Sequence, residues 1–575
     1  SDRGPSMKLT PPSIPTFGHM RHRSFYLRCA LLSGVLLALS WPAVGRLTPL
    51  IFIAWVPLLW AEERYARSAK GERPRNFMPY VMLALLVWNL ATTWWLFCVS
   101  ESIGTRLFTL IGPNVGNVLV MSVPWLLFRM VRRGLGGSGA RWALLVFWVA
   151  FERFHMHWDL SWPWLTLGNV FAGHTAWVQW YEVTGHLGGT IWIWAANFFV
   201  LQVALQAPGK AHRLITTSAL WAFLVIAVPL VGSYYRYFTF KEGGDPVGVV
   251  LVQPDIDPYT EKFGAVDPLA QLDRMLAQAA PLVDSTTALI VMPETALQEP
   301  PTLENVNGRL VFHGLWENDM SNSVSLQRIR TFLHKHPGTS LISGMSAARL
   351  FPLGAPHPFS ARPLEGMERA FDAYNAALMV RSDGSFEAYN KSKLVPGVEL
   401  MPFEEVLGPL SDIALDLGGT TGSLGTQEER SVIWSPDKRV GVAPTICYES
   451  IYGDHVAAHV RNGANLIVVM TNDGWWGDTP GYKQHLLYGK LRAVETRRDV
   501  ARCANTGISC TIDQRGDMHH GTDWWVTATV RATVHTRTDL TFYVKHGDYI
   551  GKGAYGVSAL LLLLAGGMAV RRRSN

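Results

Sequence analysis

Long apolar segments constrain the fold of this chain more than any other feature of its sequence. They lie at 25–41, 47–61, 78–99, 107–128, 142–156, 191–207, 214–232 and 554–570. A helix needs about 20 mostly apolar residues to cross a bilayer. The segment 142–156 is the least regular, because Glu152 and Arg153 interrupt it. The pattern predicts a membrane α-helical bundle with eight crossings.

The composition agrees with a chain that lies largely in a membrane. Of its 575 residues, 48% are hydrophobic and only 17% are charged, whereas soluble proteins usually carry about 25% charged residues. The net charge of +6 comes largely from short loops beside the apolar segments and from Arg571-Arg572-Arg573. Such clusters are typical of the cytoplasmic side of membrane proteins, so no nucleic-acid partner is expected.

Basic residues also predict the orientation of the chain. They cluster before the first segment, in the loops near 64–75, 129–141 and 210–213, and at the C-terminus. If these parts are all cytoplasmic, eight crossings place residues 233–553 on the outer, periplasmic side. The alternative is that one short segment is re-entrant, which would place this region inside.

These boundaries divide the sequence into four parts. Residues 1–24 form a tail that starts with an expression remnant, and 25–232 form a bundle of seven crossings. Residues 233–553 form an outer domain, and 554–575 form a final transmembrane helix with a basic cytoplasmic tail.

The outer domain has the pattern of an α/β fold. Short β-rich runs recur, and several are apolar throughout, as in strands that are buried on both faces. Strands are predicted at 247–252, 288–292, 341–343, 376–380, 440–442 and 466–470, and helices at 268–282 and 484–498.

Three of the apolar runs are followed by polar residues that could share one site. Glu294 comes after the run 288–292, and Cys447 comes directly after 442–446. Asn472 and Asp473 follow the run 466–470. Because ligands of α/β sheets bind at the carboxyl ends of strands, we expect these side chains to lie close together.

Cys447 is the candidate nucleophile of this site. The thiolate is the attacking form of a cysteine, so another group has to accept the thiol proton. A Glu can act as that base, and a Lys can stabilise an oxyanion. The loop 389–399 offers Lys391 and Lys393 for the second role. No CxxC motif or Cys/His cluster suggests a metal, and the remaining cysteines are expected to be packing residues: Cys29, Cys98, Cys503 and Cys510.

These motifs resemble the Glu-Lys-Cys triad of the nitrilase superfamily. Glu294 follows an apolar strand, Lys391 stands in Tyr-Asn-Lys-Ser-Lys-Leu-Val-Pro, and Cys447 stands in Ile-Cys-Tyr-Glu. Together with the apolar segments and the motifs at 472–477, 484–485 and 505–508, nearly the whole chain resembles the apolipoprotein N-acyltransferase family.

The resemblance implies a fold, a location and a reaction. The fold would be a nitrilase-like αββα sandwich set on a bundle in the bacterial inner membrane, with the sandwich in the periplasm. The enzyme would be an N-acyltransferase without a cofactor or a metal. It would take an acyl chain from a phospholipid, typically phosphatidylethanolamine, as a thioester on Cys447. It would pass that chain to the N-terminal amine of the diacylglyceryl-cysteine of an apolipoprotein.

The resemblance also implies roles for individual residues. Glu294 would be the general base, Lys391 would stabilise the oxyanion, and three residues would support the site: Glu399, Tyr448 and Glu449. Many family members read Pro-Phe-Gly-Glu where this chain reads Pro-Gly-Val-Glu at 396–399. The Glu is kept, but the displaced Gly leaves open how the local turn presents it.

Several aromatic residues are candidates for lipid binding. Trp475 and Trp476 either pack within the domain or line an acyl pocket, where aromatic area would hold a lipid chain. Phe351 and Phe359 lie in the apolar, Pro-rich stretch 350–359, which is either a surface loop or a lid that dips into the membrane. Phe263 follows the run 257–262, which resembles a family loop near the site.

Two other functions are compatible with parts of the sequence. A membrane-tethered nitrilase-type amidase acting on a small amide would use the same triad, but it would need one anchor rather than a bundle. A transporter with an outer binding domain would place charges along a path through the membrane. The apolar segments contain few charges besides Glu152 and Arg153, and a transporter leaves Cys447 without a role.

Overall fold

The computed structural model describes residues 17–69, 72–99, 102–135, 140–206, 212–258, 266–403 and 423–574. Helices make up the described chain as far as Thr239, and strands alternate with helices from Asp245 to His546. One long helix, Tyr549–Ser574, follows. The chain therefore has a helical part and an α/β part.

The helical part exposes apolar side chains, as expected for a surface that faces lipid. Leu220, Phe223 and Val231 are 55%, 65% and 68% exposed. The helices are Phe17–Ser40, Val56–Arg67, Met78–Thr93, Ile103–Met121, Val123–Leu135, Arg141–His155, Tyr181–Thr184, His186–Gln206 and His212–Thr239, with 3-10 turns at Thr48–Phe52, Trp94–Cys98, Pro163–Leu165, Leu167–Gly173 and Thr175–Trp177. We call this part the bundle.

Several helices are long and apolar enough to cross a membrane, so the chain is a membrane protein. Among the described residues there are six: Arg23–Ser40, Met78–Cys98, Ile103–Arg133, His186–Gln206, Thr217–Thr239 and Tyr549–Met568. The segment 47–61 folds differently, because Pro49 and Pro57 each begin a new helical turn. The segment 142–156 forms a helix of only 15 residues. The count of eight crossings therefore remains a prediction.

Other helix boundaries also differ from the sequence-based expectation. The segment 107–128 is divided at Ser122, since Pro124 lacks the N–H that would continue the first helix. The helix that contains 214–232 continues to Thr239, and the last helix begins at Tyr549. The α/β part thus starts later and ends earlier than the boundaries at 233 and 553.

The α/β part is built on two sheets of mainly buried strands. The strands are β1 (Asp245–Gln253), β2 (Thr287–Val291), β3 (Thr302–Val306), β4 (Arg309–His313), β5 (Ser340–Leu350), β6 (Arg362–Pro363), β7 (Ala370–Val380), β8 (Phe386–Asn390), β9 (Ile433–Trp434), β10 (Gly441–Ile446), β11 (Leu466–Thr471), β12 (Val500–Ala504), β13 (Cys510–Ile512), β14 (Met518–His519) and β15 (Ala528–Thr536). One sheet has the order β15-β1-β2-β5-β7-β6, with β8 paired to β7, and the other has the order β14-β13-β12-β11-β10-β9.

The two sheets pack face to face between two layers of helices. Side chains of β1, β2, β10 and β11 share one buried core. The outer face of the first sheet is covered by Pro268–Ala279 and Val324–His334. The outer face of the second sheet is covered by Gly453–Arg461 and Pro480–Thr496. The result is an αββα sandwich, as predicted.

The predicted elements of the sandwich are confirmed, with shifted ends. Each predicted strand lies in or overlaps β1, β2, β5, β7, β10 or β11. The first predicted helix ends at Ala279 and continues as a 3-10 turn to Leu282. The second begins earlier than predicted, because the Thr479 side chain caps it by accepting from the N–H of Gly481. Cys503 and Cys510 are buried and form no disulfide, as expected for packing residues.

One helix of the sandwich, Pro480–Thr496, rests on the bundle through its residue Gln484. The side-chain amide of Gln484 donates to the carbonyl oxygens of Pro42 and Thr92, at 3.4 and 3.2 Å. Its oxygen accepts from the indole N–H of Trp164 at 2.7 Å. All these groups are buried, so the contact fixes this side of the sandwich against the bundle.

Candidate active site

The predicted catalytic residues lie just beyond the carboxyl ends of strands. Glu294 follows β2, Lys391 follows β8, and Cys447 follows β10. Their exposed fractions are only 6%, 1% and 9%. Buried charges need partners within the protein, so the contacts of these side chains define the site.

The Lys391 ammonium joins two carboxylates. Its Nζ donates to Glu294 Oε1 at 3.2 Å and to Glu399 Oε1 at 2.9 Å. Asn375, in β7, donates from Nδ2 to the same two oxygens, at 2.8 and 2.9 Å. The backbone N–H of Asn472 donates to Glu294 Oε2 at 3.1 Å. Burial alone would lower the pKa of Lys391, but Glu294 and Glu399 together raise it, so the side chain stays an ammonium.

Cys447 begins a 3-10 turn, Cys447–Ile451, with a φ of +47°. Burial raises the pKa of its thiol, the charge of Glu294 raises it further, and the charge of Lys391 opposes both. The resting thiol is therefore neutral near pH 7. Since the thiolate is the nucleophile, a base has to remove the proton before Cys447 can attack.

Glu449 connects the nucleophile turn to the loop after β8. Its Oε1 accepts from the N–H of Ser392 at 2.7 Å and from the Tyr389 hydroxyl at 2.9 Å. Its Oε2 accepts from the N–H of Ile446 at 2.9 Å. Burial raises the pKa of Glu449, but His455 and these hydrogen bonds lower it to about 2. The carboxylate is therefore a permanent acceptor that holds the two segments together.

The turn 396–399 directs Glu399 at the ammonium despite its unusual order of residues. Gly397 has a φ of +78°, which glycine adopts without strain. The N–H of Glu399 donates to the carbonyl of Val395 at 2.9 Å. The Oε2 of Glu399 accepts from the N–H of Val395 at 2.9 Å, which leaves Oε1 for Lys391. The altered turn thus keeps Glu399 in the site.

Two of the predicted residues belong to an aromatic cluster between the sandwich and the bundle. The Tyr448 ring stacks on Trp162, with 6.1 Å between centroids. Trp476 lies 5.0 Å from Trp95 and 5.8 Å from Trp164. We call these five side chains the aromatic cluster. Because Tyr448 directly follows the candidate nucleophile, the cluster adjoins the site.

The other predicted lipid-binding residues lie in two further parts of the α/β region. Phe359 is 72% exposed on the loop between β5 and β6. Phe351 contacts His357 of the same loop, with 6.0 Å between centroids. Trp475 is half-buried next to Trp476. Phe263 lies outside the residues that the structure describes.

Lys393, the competing lysine, points elsewhere. Its Nζ donates to the carbonyl of Met156 at 3.0 Å and lies 5.0 Å from the ring centroid of Tyr452. Within the described ranges it forms no ion pair with a carboxylate. The geometry therefore favours Lys391 as the cation of the site.

Asn375 is the site residue that the sequence reasoning missed. Asn375 is a polar residue beside the apolar run 376–380, and it is 5% exposed. A polar side chain buried in a strand needs a specific partner. The position of Asn375 beside an apolar run was therefore the feature of the sequence that could have identified it. Asn472, which the sequence analysis placed among the polar residues of the expected site, contacts Glu294 through its backbone N–H rather than its side chain.

Comparisons with known proteins cover both parts of the chain. The carbon-nitrogen hydrolase family matches residues 249–539, and the apolipoprotein N-acyltransferase N-terminal domain matches residues 33–199. These matches assign the α/β part a nitrilase-like fold.

Curated relatives match over nearly the full length. The apolipoprotein N-acyltransferase of Chlorobaculum tepidum is 31% identical, over 94% of this chain and 96% of the relative. That of Geobacter metallireducens is 26% identical, over 96% of this chain and 97% of the relative. That of Haemophilus influenzae is 26% identical over 72% of each chain. With both domains matched and the candidate triad assembled, the chain belongs to the apolipoprotein N-acyltransferase family.

Proposed function

We propose that this enzyme transfers an acyl chain from a membrane phospholipid to the N-terminal amine of the diacylglyceryl-cysteine of apolipoproteins. Membership of the family supports lipoprotein N-acylation. The observation that carries the finer proposal is the position of Cys447. It lies beside the Glu294–Lys391 pair, and the next residue belongs to the aromatic cluster on the bundle. A lipid ester could reach the thiol from that side without leaving apolar surroundings.

In the first step, Glu294 accepts the thiol proton and Cys447 Sγ attacks the carbonyl carbon of the donor ester. The Lys391 ammonium stabilises the negative oxygen of the tetrahedral intermediate. The C–O ester bond then breaks, and Glu294 returns the proton to the leaving oxygen. A lysophospholipid departs, and the acyl chain remains on Cys447 as a thioester.

In the second step, the lipoprotein amine attacks the thioester carbon. Glu294 accepts a proton from the amine, and Lys391 again stabilises the oxyanion. The C–S bond breaks, the sulfur regains a proton, and the amide product leaves. Because the thiol is buried, water has little access to the thioester, which favours transfer over hydrolysis.

The choice between transfer and hydrolysis separates this function from a membrane-tethered amidase. The enzyme would be incubated in phosphatidylethanolamine vesicles with a synthetic lipopeptide that begins with diacylglyceryl-cysteine. We expect the lipopeptide to gain one acyl chain on its amine, with an equal amount of lysophospholipid, as measured by mass spectrometry. A lipopeptide with an acetylated amine is the control. Free fatty acid without an acylated lipopeptide would favour a hydrolase.

We further propose that the aromatic cluster receives the acyl chain, together with Trp475, Phe263, Phe351 and Phe359 along the path of entry. Trp476→Ala should then raise the KM for phospholipid about tenfold, which corresponds to about 1.4 kcal/mol of lost contact. Trp142→Ala is the matched control, because Trp142 is 44% exposed on the bundle and packs on Phe198.

The rate of thioester formation on Cys447 tests the role proposed for the loop 350–359. Replacing Phe351 and Phe359 together with Ser should slow thioester formation, because a polar loop would enter the membrane less readily. An unchanged rate in this double variant would rule out a lid and leave a surface loop.

We also propose that the protein lies in the bacterial inner membrane with the sandwich in the periplasm. Asp539 and Arg67 have side chains that are 80% and 68% exposed. Asp539 lies on the sandwich, and Arg67 lies at the end of the helix Val56–Arg67 of the bundle. In cells with a permeabilised outer membrane, an impermeant thiol reagent should label Asp539→Cys at once. It should label Arg67→Cys only after lysis. The reverse pattern would contradict this orientation.

A further inference from the structure

The backbone at Cys447 is held in a conformation that needs support. A non-glycine residue with positive φ is strained and keeps this conformation only where its surroundings hold it, and Cys447 has a φ of +47°. The thiol chemistry proposed above uses the side chain of this residue and leaves its carbonyl group free for another contact. That carbonyl is the first member of a buried network of hydrogen-bonded polar groups.

This network extends from Cys447 to the buried side chain of Arg502. The carbonyl oxygen of Cys447 lies 2.9 Å from His485 Nε2. The other ring nitrogen, Nδ1, lies 2.9 Å from Asp473 Oδ1. Asp473 Oδ2 accepts from Arg502 Nη2 at 2.6 Å. The side chains of His485, Asp473 and Arg502 are at most 1% exposed.

The neighbours of the two ring nitrogens show that His485 donates a hydrogen bond to the Cys447 carbonyl. Burial alone would raise the pKa of Asp473, but Arg502 and His485 lower it to about 2, so a carboxylate faces Nδ1. Nε2 faces two oxygens, the Cys447 carbonyl and the Ser450 hydroxyl, each at 2.9 Å. The hydroxyl has one proton, and it is also 2.8 Å from the same carbonyl. A ring nitrogen without a proton would face the carbonyl lone pairs, so the contacts on this side of the ring require an Nε2–H that donates to the Cys447 carbonyl.

Two aromatic side chains also hold the imidazole ring of His485 in place. Trp164 stacks on His485 at 6.1 Å, and Trp476 lies edge-on at 5.7 Å. These neighbours carry no charge. The described charged groups in contact with the ring are Asp473 and Arg502, whose Nη2 lies 3.3 Å from Nδ1.

Holding this carbonyl also orients the peptide group that follows the nucleophile. In a trans peptide the C=O and the next N–H point in opposite directions. With the Cys447 carbonyl directed at His485, the N–H of Tyr448 points away from the imidazole. No hydrogen bond to this N–H is found in the described part of the chain, as expected at the start of a helical turn.

We infer that His485 is a positioning residue, which donates from Nε2 to the Cys447 carbonyl and is itself held by Asp473 and Arg502. It keeps the nucleophile in its positive-φ conformation and fixes the direction of the Tyr448 N–H. This inference rests on the proposed thioester chemistry at Cys447. The imidazole exchanges no proton with the substrate.

Two amide substitutions separate the ring nitrogens. The terminal amide N–H of Gln reaches the position of Nε2, whereas that of Asn reaches only the position of Nδ1. His485→Asn should slow thioester formation at saturating phospholipid about 100-fold, the effect of a small misplacement of a reacting group, with KM unchanged. His485→Gln should recover most of that loss. His459→Asn is the control, since His459 is also fully buried and its Nδ1 lies 2.8 Å from the Ser431 carbonyl.

Equal rates in the Asn and Gln variants, or an effect on KM alone, would overturn the inference. A second measurement does not depend on folding of the variants. In 15N-histidine NMR spectra of the wild-type enzyme at pH 7, His485 should show a proton on Nε2, and a bare Nε2 would also overturn the inference. A wild-type enzyme that passes this test but never acylates Cys447 would contradict the proposed function instead.

Discussion

Replacing Cys447 with Ala is expected to abolish acyl transfer, with a loss of about 10,000-fold or more, as for other covalent nucleophiles. The proposed thioester forms on the thiol of Cys447, which lies beside the Glu294–Lys391 pair. The rate of lipopeptide acylation in phosphatidylethanolamine vesicles measures this directly.

Cys503→Ala is the matched control for that substitution. Cys503 is also buried, belongs to the same core between the sheets, and donates from its thiol to the carbonyls of Val252 and Val291. Its loss should lower thermal stability without removing activity. If Cys447→Ala retained normal transfer, a covalent role for this residue would be excluded.

The Lys391→Ala variant is expected to lose about 100- to 1000-fold in kcat, the usual effect of removing one oxyanion donor. A further effect adds to this loss. Without the ammonium, Glu294 and Glu399 face each other across Asn375, and like charges favour protonation of one of them. A protonated Glu294 could not accept the thiol proton. The variant would therefore lose proton acceptance by Glu294 as well as oxyanion stabilisation by Lys391.

Lys393→Ala should lose far less activity, because Lys393 contacts a backbone carbonyl and a ring instead of the carboxylates. The two lysines are separated by one residue in the same loop, so the comparison controls for disruption of that loop. Equal losses in the two variants would show that the loop geometry is wrong.

The sandwich and its central residues could be predicted from the sequence because their signals are local. Apolar runs predicted β2, β10 and β11, and the polar residues after those runs predicted that Glu294 and Cys447 share one site, although β2 and β10 belong to different sheets. Asn375 was not predicted because it lies inside a strand, and its role becomes visible only when β7 is placed next to β5 and β8. His485 lay in a noted motif, but a role that depends on a backbone carbonyl leaves no pattern of its own.

The bundle was harder to predict than the sandwich. Hydropathy marks apolar stretches, but it does not show where a helix ends, and the prolines at 49, 57 and 124 divide segments that read as continuous. The lipid-contacting residues were harder still. Trp476 meets Trp95 and Trp164 across the boundary between the two parts, and such contacts between distant segments cannot be derived from composition.

The mass of the peptide that contains Cys447, after incubation of the enzyme with phospholipid alone, tests the central claim most directly. The account predicts that Cys447 gains one acyl chain and that an equal amount of lysophospholipid is released. Hydroxylamine should remove the acyl chain, and the lipopeptide substrate should discharge it onto its amine. An enzyme that acylates the lipopeptide yet never carries an acyl chain on Cys447 would contradict the account.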